Sequence, residues 1–87
     1  MENKVLVKFI FPDYDVDYDV FIPVNEIIWK IKKLVIKSIS DLINCPIDIE
    51  KNYVFINKNN SRIYNNNEIV INTDIRNGCE LLIILGE

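Results

Sequence analysis

The last strand-like segment of the chain, residues 79 to 85, is apolar at both of its alternating positions. A strand directs successive side chains to opposite faces of a sheet. Leu81 and Ile83 can therefore face a core only if Leu82 and Ile84 face the other way. Only one segment of the chain has the pattern of a long helix, and one helix covers one face of a sheet. The sequence thus predicts a sheet whose second face exposes apolar side chains.

The first strand-like segment, residues 4 to 11, repeats this pattern. Lys8 marks the solvent-facing positions of this strand, because a lysine is rarely fully buried. Leu6 and Ile10 share those positions with Lys8. The first strand therefore also predicts apolar groups on the face that the helix does not cover.

A helix is predicted from about Asn25 to about Ile43. Asn25 can cap its start, and Glu26 in the first turn suits the helix dipole. Asn44 can adopt a left-handed conformation at the end, and Pro46 prevents continuation. The side chains on the predicted core-facing stripe are Ile28, Ile31, Val35, Ile39 and Leu42.

The other predicted elements are strands at residues 18–23 and 53–57 and a short strand at 62–64. This order predicts an α+β fold of the β-grasp type, ββαββ(β), as one domain over residues 1–87. Four to five strands form a mixed sheet with one long helix packed on one face. The first and last strands are expected to lie parallel at the sheet centre, because a crossover through the helix returns the chain beside its start.

Three segments carry a resemblance to a known family: Lys4 through Phe11, Tyr18 through Pro23, and Asn67 through Leu81. Over nearly its whole length the chain resembles ubiquitin-like proteins. More closely, it resembles the small ubiquitin-like component of Gram-positive type VII secretion systems, the YukD/EsaB type. The resemblance implies a non-enzymatic cytoplasmic accessory of an export machine for WXG100-type proteins. Its implied partners are the cytoplasmic domains of the machine's membrane components.

Three other functions stay open from the sequence: a ubiquitin-like adaptor of another pathway, a covalent modifier or sulfur carrier, and a structural homodimer. Conjugation needs a flexible tail that ends in Gly-Gly, whereas this sequence ends in Gly86 and Glu87. The ending therefore disfavours a modifier or sulfur carrier.

The uncovered sheet face is the first candidate site. Val5, Val7, Val54, Ile56, Leu81 and Ile83 are assigned to the core-facing positions. A contiguous apolar patch on a monomer commonly marks an interaction site, although apolar residues can also serve strand propensity or a homodimer contact. The predicted protein-binding patch consists of Leu6, Lys8, Ile10, Tyr53, Phe55, Leu82 and Ile84.

A second candidate surface lies at the edge of the helix stripe. It consists of Trp29, Lys32, Lys33 and Ile36. A half-exposed tryptophan with basic neighbours suits a docking point, because tryptophan is enriched at interface hot spots. The alternative, ordinary packing beneath the 44–52 loop, is favoured.

Several functional classes are disfavoured by what the sequence contains. It has no histidine, no glycine-rich phosphate loop and no serine or cysteine with an evident activating base, so neither catalysis nor a cofactor is predicted. The alternating aspartates of residues 13 to 19 resemble the start of a calcium loop. However, Tyr18 and Val24 occupy the positions of the required glycine and bidentate glutamate. Cys45 and Cys79 are predicted to be buried free thiols.

Nucleic acid is not an expected partner, because the formal net charge is −3 and phosphate binding needs a concentrated basic surface. No apolar run approaches the roughly 20 residues that span a bilayer. The sequence start also lacks the pattern of a signal peptide. A cytoplasmic protein without direct membrane insertion is therefore expected.

Overall fold

The computed structural model describes residues 3–86. Within them the chain forms four strands and one α-helix, with two short 3₁₀ turns at Pro12–Tyr14 and Val70–Asn72. The elements are β1 (Lys4–Phe11), β2 (Val16–Pro23), α1 (Ile28–Ile43), β3 (Tyr53–Asn57) and β4 (Cys79–Leu85).

The four strands form one mixed sheet in the order β2-β1-β4-β3. β1 pairs antiparallel with β2 and parallel with β4, and β3 pairs antiparallel with β4. The parallel central pair is set by Val7 opposite Cys79 and Ile10 opposite Leu82. The predicted β-grasp topology, with the first and last strands side by side, is confirmed.

The core lies between α1 and one face of the sheet. Phe9 and Phe55 stand on neighbouring parts of that face with ring centroids 5.0 Å apart. Phe11 packs edge-on against Tyr53 at 5.3 Å. The sheet residues that are buried in this core are Val7, Phe9, Phe11, Ile22, Tyr53, Phe55, Leu81 and Ile83.

The placement of Tyr53 and Phe55 corrects the prediction for β3. Both were expected on the uncovered face, but Phe55 is fully buried and Tyr53 nearly so, while Val54 and Ile56 point to the uncovered face. β3 is apolar at both alternating positions, so the pattern carried no signal for its orientation. Its polar residue, Asn57, points into the core.

Helix α1 begins later than predicted. Its first backbone N–H groups donate hydrogen bonds to backbone carbonyls of another segment and not to a capping side chain. The N-cap position is Ile27, whose aliphatic side chain cannot accept a hydrogen bond. The first backbone N–H groups of a helix lack intrahelical partners. Here the N–H of Ile28 donates to the carbonyl of Glu68 (2.8 Å), and the N–H of Trp29 donates to the carbonyl of Asn66 (3.1 Å). The segment after β3 therefore holds the start of the helix.

The end of α1 is as predicted, with Asn44 in the left-handed region at φ 54°. The buried stripe contains Ile28, Ile31, Val35 and Ile39. Leu42 was expected in this stripe but is 59% exposed, and it lies in the last turn of the helix.

The predicted short strand at residues 62–64 is reduced to one isolated bridge, Ile63 opposite Ile56. Polar side chains organise this part of the chain. The hydroxyl of Tyr64 donates to Asp74, and the guanidinium of Arg62 contacts both Glu68 (2.8 Å) and Asp74 (3.4 Å). These contacts hold a loop where the sequence pattern predicted a strand.

Candidate protein-binding surface

A continuous apolar row crosses the face of the sheet opposite α1. Ile10 pairs with Leu82, Leu82 pairs with Ile56, and Ile56 pairs with Ile63. Directly paired residues of neighbouring strands point to the same side of the sheet. Two residues further along, Ile84 pairs with Val54 and widens the row. We call these six residues the open-face patch: Ile10, Val54, Ile56, Ile63, Leu82 and Ile84.

No element of residues 3–86 covers the open-face patch. Ile63 is 57% exposed, and the other five members are half-buried. Asp17 stands opposite Ile10 and bounds the patch on the β2 side. The patch is therefore an apolar surface with a polar rim, which is the general anatomy of a protein interface.

A charged row separates the open-face patch from a smaller apolar pair. Lys8 stands opposite Asp19 on one side and Glu80 on the other. The ammonium of Lys58 lies 3.6 Å from a carboxylate oxygen of Glu80. Beyond this row, Leu6 pairs with Phe21, which is 60% exposed. The face therefore carries a line of alternating charges between two apolar areas.

The structure places most of the predicted patch where it was expected. Leu6, Lys8, Ile10, Leu82 and Ile84 lie on the uncovered face. Tyr53 and Phe55 do not, because β3 has the opposite orientation, and their places are taken by Val54 and Ile56.

Sequence reasoning missed two exposed members of this face, Ile63 and Phe21. The alternation in β2, with Ile22 inward, could have assigned Phe21 to it. Ile63 lies in a loop and pairs with Ile56 through one isolated bridge. A single bridge has no alternating pattern in the sequence from which it could be predicted.

The second predicted surface forms one wall of a cleft of about 430 Å³. Trp29, Lys32, Lys33 and Ile36 all line this cleft, together with residues 49–53 and Asn66. Trp29 is 40% exposed, in agreement with the half-exposed tryptophan of the docking hypothesis. Lys32 and Ile36 are buried at 9% and 1%, in agreement with the favoured alternative of ordinary packing. Burial results from the loop and from Asn66, which are distant in sequence from the helix.

A hydrogen-bonded group beside β3 perturbs two titrating side chains. Tyr64 is buried, and its burial together with its hydrogen bond to Asp74 raises the pKa of the Tyr64 phenol to about 12. The same hydrogen bond is the main reason that the pKa of Asp74 is lowered. The carboxamide of Asn57 donates to the Tyr64 oxygen at 3.1 Å. The group therefore ties the loop that contains Tyr64 and Asp74 to the end of β3.

The two cysteines are the other potentially reactive side chains that the sequence analysis named. Cys45 and Cys79 are free and half-buried, where full burial was expected. Burial raises the pKa of the Cys79 thiol, which makes it a poor nucleophile. Among residues 3–86, no group of three or more His, Cys, Asp or Glu side chains could hold a metal ion.

No helix in the described part of the chain is long and apolar enough to cross a membrane.

No model of a known protein family matches the sequence, and no curated protein matches it. Solved structures match the fold. The ubiquitin-like domain of Dsk2 from Plasmodium falciparum aligns over 95% of this chain and 99% of that domain, with a TM-score of 0.74 and 16% identity. The ubiquitin-like domain of EccD5 from Mycobacterium xenopi aligns over 99% of this chain and 98% of that domain, with a TM-score of 0.78 and 12% identity.

The chain has the ubiquitin-like β-grasp fold. A chain of the MycP5-free ESX-5 inner membrane complex also contains this fold, with a TM-score of 0.79 and 12% identity. The alignment covers 98% of this protein's chain but only 21% of the ESX-5 chain. The similarity thus concerns one domain of a larger membrane-complex subunit.

Proposed function

We propose that this ubiquitin-like chain is a non-enzymatic protein-binding module that serves a type VII secretion system from the cytoplasm. It docks through the open-face patch on cytoplasmic domains of the system's membrane components, as an accessory of the YukD/EsaB type. The observation that carries the binding role is the apolar row from Ile10 to Ile63, which no part of residues 3–86 covers.

The size of the open-face patch limits the affinity that it can supply. Complete burial of an aliphatic side chain contributes roughly 1.5 to 3 kcal/mol, and five of the six members are already half-buried. Association costs an estimated 4 to 15 kcal/mol before any net affinity results. The patch therefore suits moderate binding within an assembly that holds several components together.

The secretion context is supported by two kinds of similarity. The sequence resembles the YukD/EsaB type in its first strands and its closing segment, and the fold matches the EccD5 domain and the ESX-5 chain. Because the Dsk2 domain also matches, an adaptor of another pathway is the second candidate. A partner assay separates the two.

The test is a pair of matched variants, each of which places a carboxylate on an exposed aliphatic position. Ile63→Asp alters the open-face patch at a residue that is 57% exposed, and Leu42→Asp alters the helix at a residue that is 59% exposed. Ile84→Asp places a carboxylate on β4, the strand of the patch that lies between β1 and β3. Calorimetric titration against purified cytoplasmic domains of the secretion machine is expected to give affinities about ten- to a hundredfold weaker for both patch variants, and unchanged for Leu42→Asp.

Each other outcome contradicts a defined part of the proposal. If the unaltered chain binds none of these domains and its deletion leaves WXG100 export intact, the secretion assignment is wrong. If binding survives Ile84→Asp and Ile63→Asp in proteins with unchanged circular dichroism, the open-face patch is not the docking surface. A dimer in light scattering that Ile84→Asp dissociates would assign the patch to a second copy of the chain.

A further inference from the structure

The cleft beside α1 contains a buried lysine, Lys32. Lys32 is only 9% exposed, and its ammonium donates a hydrogen bond to the side-chain oxygen of Asn66. It also lies 5.9 Å from the centre of the Phe55 ring. Among residues 3–86, no carboxylate lies within ion-pair distance of Lys32. A buried charge is costly unless it is paired, so this arrangement favours binding of an anion.

Backbone contacts fix the position of Lys32. Asn66 accepts a hydrogen bond from the N–H of Trp29 through its carbonyl and contacts Lys32 through its side chain. One residue therefore ties the first turn of α1 to the ammonium that lines the cleft. Burial lowers the pKa of Lys32, and a neighbouring carboxylate would oppose that shift.

The walls of the cleft combine positive charge with apolar surface. Lys33 and Lys51 line it with Lys32, against one acidic residue, Glu50. Trp29 and Ile49 supply apolar surface, and the ammonium of Lys33 lies 4.8 Å from the centre of the Trp29 ring. A ligand that fits these walls carries a carboxylate next to an apolar side chain.

We infer that the cleft binds an acidic peptide segment of a partner protein, with a carboxylate on the ammonium of Lys32 and an apolar side chain against Trp29. The volume of about 430 Å³ is in the range of sites that hold a few side chains. Nucleic acid is a poorer fit, because a phosphate backbone needs an extended basic surface, whereas the lysines that line this cleft among residues 3–86 are Lys32, Lys33 and Lys51. The cleft lies on the helix side of the sheet, so it can be occupied while the open-face patch is also occupied.

Trp29 reports directly on the cleft, because it is the single tryptophan of the chain. The probe is the synthetic peptide acetyl-Glu-Glu-Leu-Asp-Phe-Glu-amide, and the matched neutral peptide carries Gln and Asn in place of Glu and Asp. Titration of the full chain is expected to change the Trp29 fluorescence to saturation with the acidic peptide only. The Ile84→Asp variant is expected to bind the peptide as the unaltered chain does, which separates this site from the open-face patch.

Two substitutions on the same helix sharpen the test. Lys32→Met removes the buried charge and keeps an unbranched side chain that is one atom shorter. It is expected to lower the affinity for the acidic peptide at least about tenfold. Lys37→Met removes an exposed charge that pairs with Asp41 at 3.9 Å, and its effect is expected to stay within about twofold. Lys32→Met is also expected to be at least as thermally stable as the unaltered chain, because it removes a buried charge that no carboxylate of residues 3–86 pairs with.

Four results would overturn the inference. They are the absence of a fluorescence change, equal binding of the neutral peptide, full affinity in Lys32→Met, and self-association of the chain that Lys32→Met abolishes. The last result would mean that the ligand of the cleft is the acidic loop of residues 13–19 of a second copy of the chain, and not a segment of a partner protein.

Discussion

Replacement of Phe55 by alanine is expected to lower the free energy of unfolding by about 3 to 5 kcal/mol, the usual cost of deleting a buried aromatic ring. Phe55 is fully buried, and its ring packs 5.0 Å from that of Phe9 across the central strands. A domain of this kind has a total stability of roughly 5 to 15 kcal/mol, so the loss is a large share of it. Urea unfolding followed by circular dichroism measures the change, and the milder Phe55→Leu extends the series if Phe55→Ala does not fold.

The neighbouring position provides the control for the orientation of β3. Val54 is half-buried on the open face, and Val54→Ala is expected to cost about 1 kcal/mol or less. The two substitutions differ by one residue in sequence and by the face of the sheet on which they lie. A larger loss for Val54→Ala than for Phe55→Ala would mean that β3 has the orientation first predicted from the sequence.

The contrast between β1 and β3 shows what alternation along a strand can predict. In β1, Lys8 marks one set of positions as solvent-facing, and of the two residues predicted to face the core, Val7 is fully buried and Val5 half-buried. β3 contains no charged residue. Its one polar residue, Asn57, is buried, and its carboxamide donates a hydrogen bond to Tyr64, seven positions away. Alternation along the strand does not encode this contact, which satisfies a polar group on the buried face.

The burial of some helix side chains follows from the helix sequence itself, whereas the burial of others depends on residues that are distant in sequence. The 3.6-residue period of the helix correctly predicted the buried side from Ile28 to Ile39. It could not predict that Leu42, in the last turn, is left exposed. It also could not predict that Lys32 is buried, because the cover comes from residues 49–53 and from Asn66. The open-face patch was partly predictable, since a single helix cannot cover both faces of the sheet.

Replacement of Tyr64 by phenylalanine is expected to lower the free energy of unfolding by about 1 to 3 kcal/mol at neutral pH, because a buried hydrogen-bonded hydroxyl is lost. This hydroxyl donates to Asp74 and accepts from the carboxamide of Asn57. Phenylalanine keeps the ring and its contact with Arg62, 5.0 Å from the ring centre, so the cost falls on the hydrogen bonds. Chemical denaturation of the two proteins at pH 7 measures it.

The difference between the two proteins is expected to be largest from about pH 4 to pH 10. The folded-state pKa of Asp74 is lowered, chiefly by the Tyr64 hydroxyl, so this stabilisation is present above 3.8 and is lost as the pH falls through the folded-state pKa. The folded-state pKa of Tyr64 is raised from 10.0 to about 12, so its stabilisation is lost as the pH rises from 10 towards 12. The raised pKa of Tyr53 acts in both proteins and cancels in the difference.

The matched control is Tyr18→Phe, which also removes one phenol. Tyr18 is half-buried, and within residues 3–86 its hydroxyl takes part in none of the hydrogen bonds of the Tyr64 group. Its loss of stability at pH 7 is expected to be smaller than that of Tyr64→Phe. A stability difference for Tyr64→Phe that does not change with pH would show that the hydroxyl of Tyr64 does not couple to Asp74. The loop of residues 58–78 would then be held by the ion pairs of Arg62 with Glu68 and Asp74 instead.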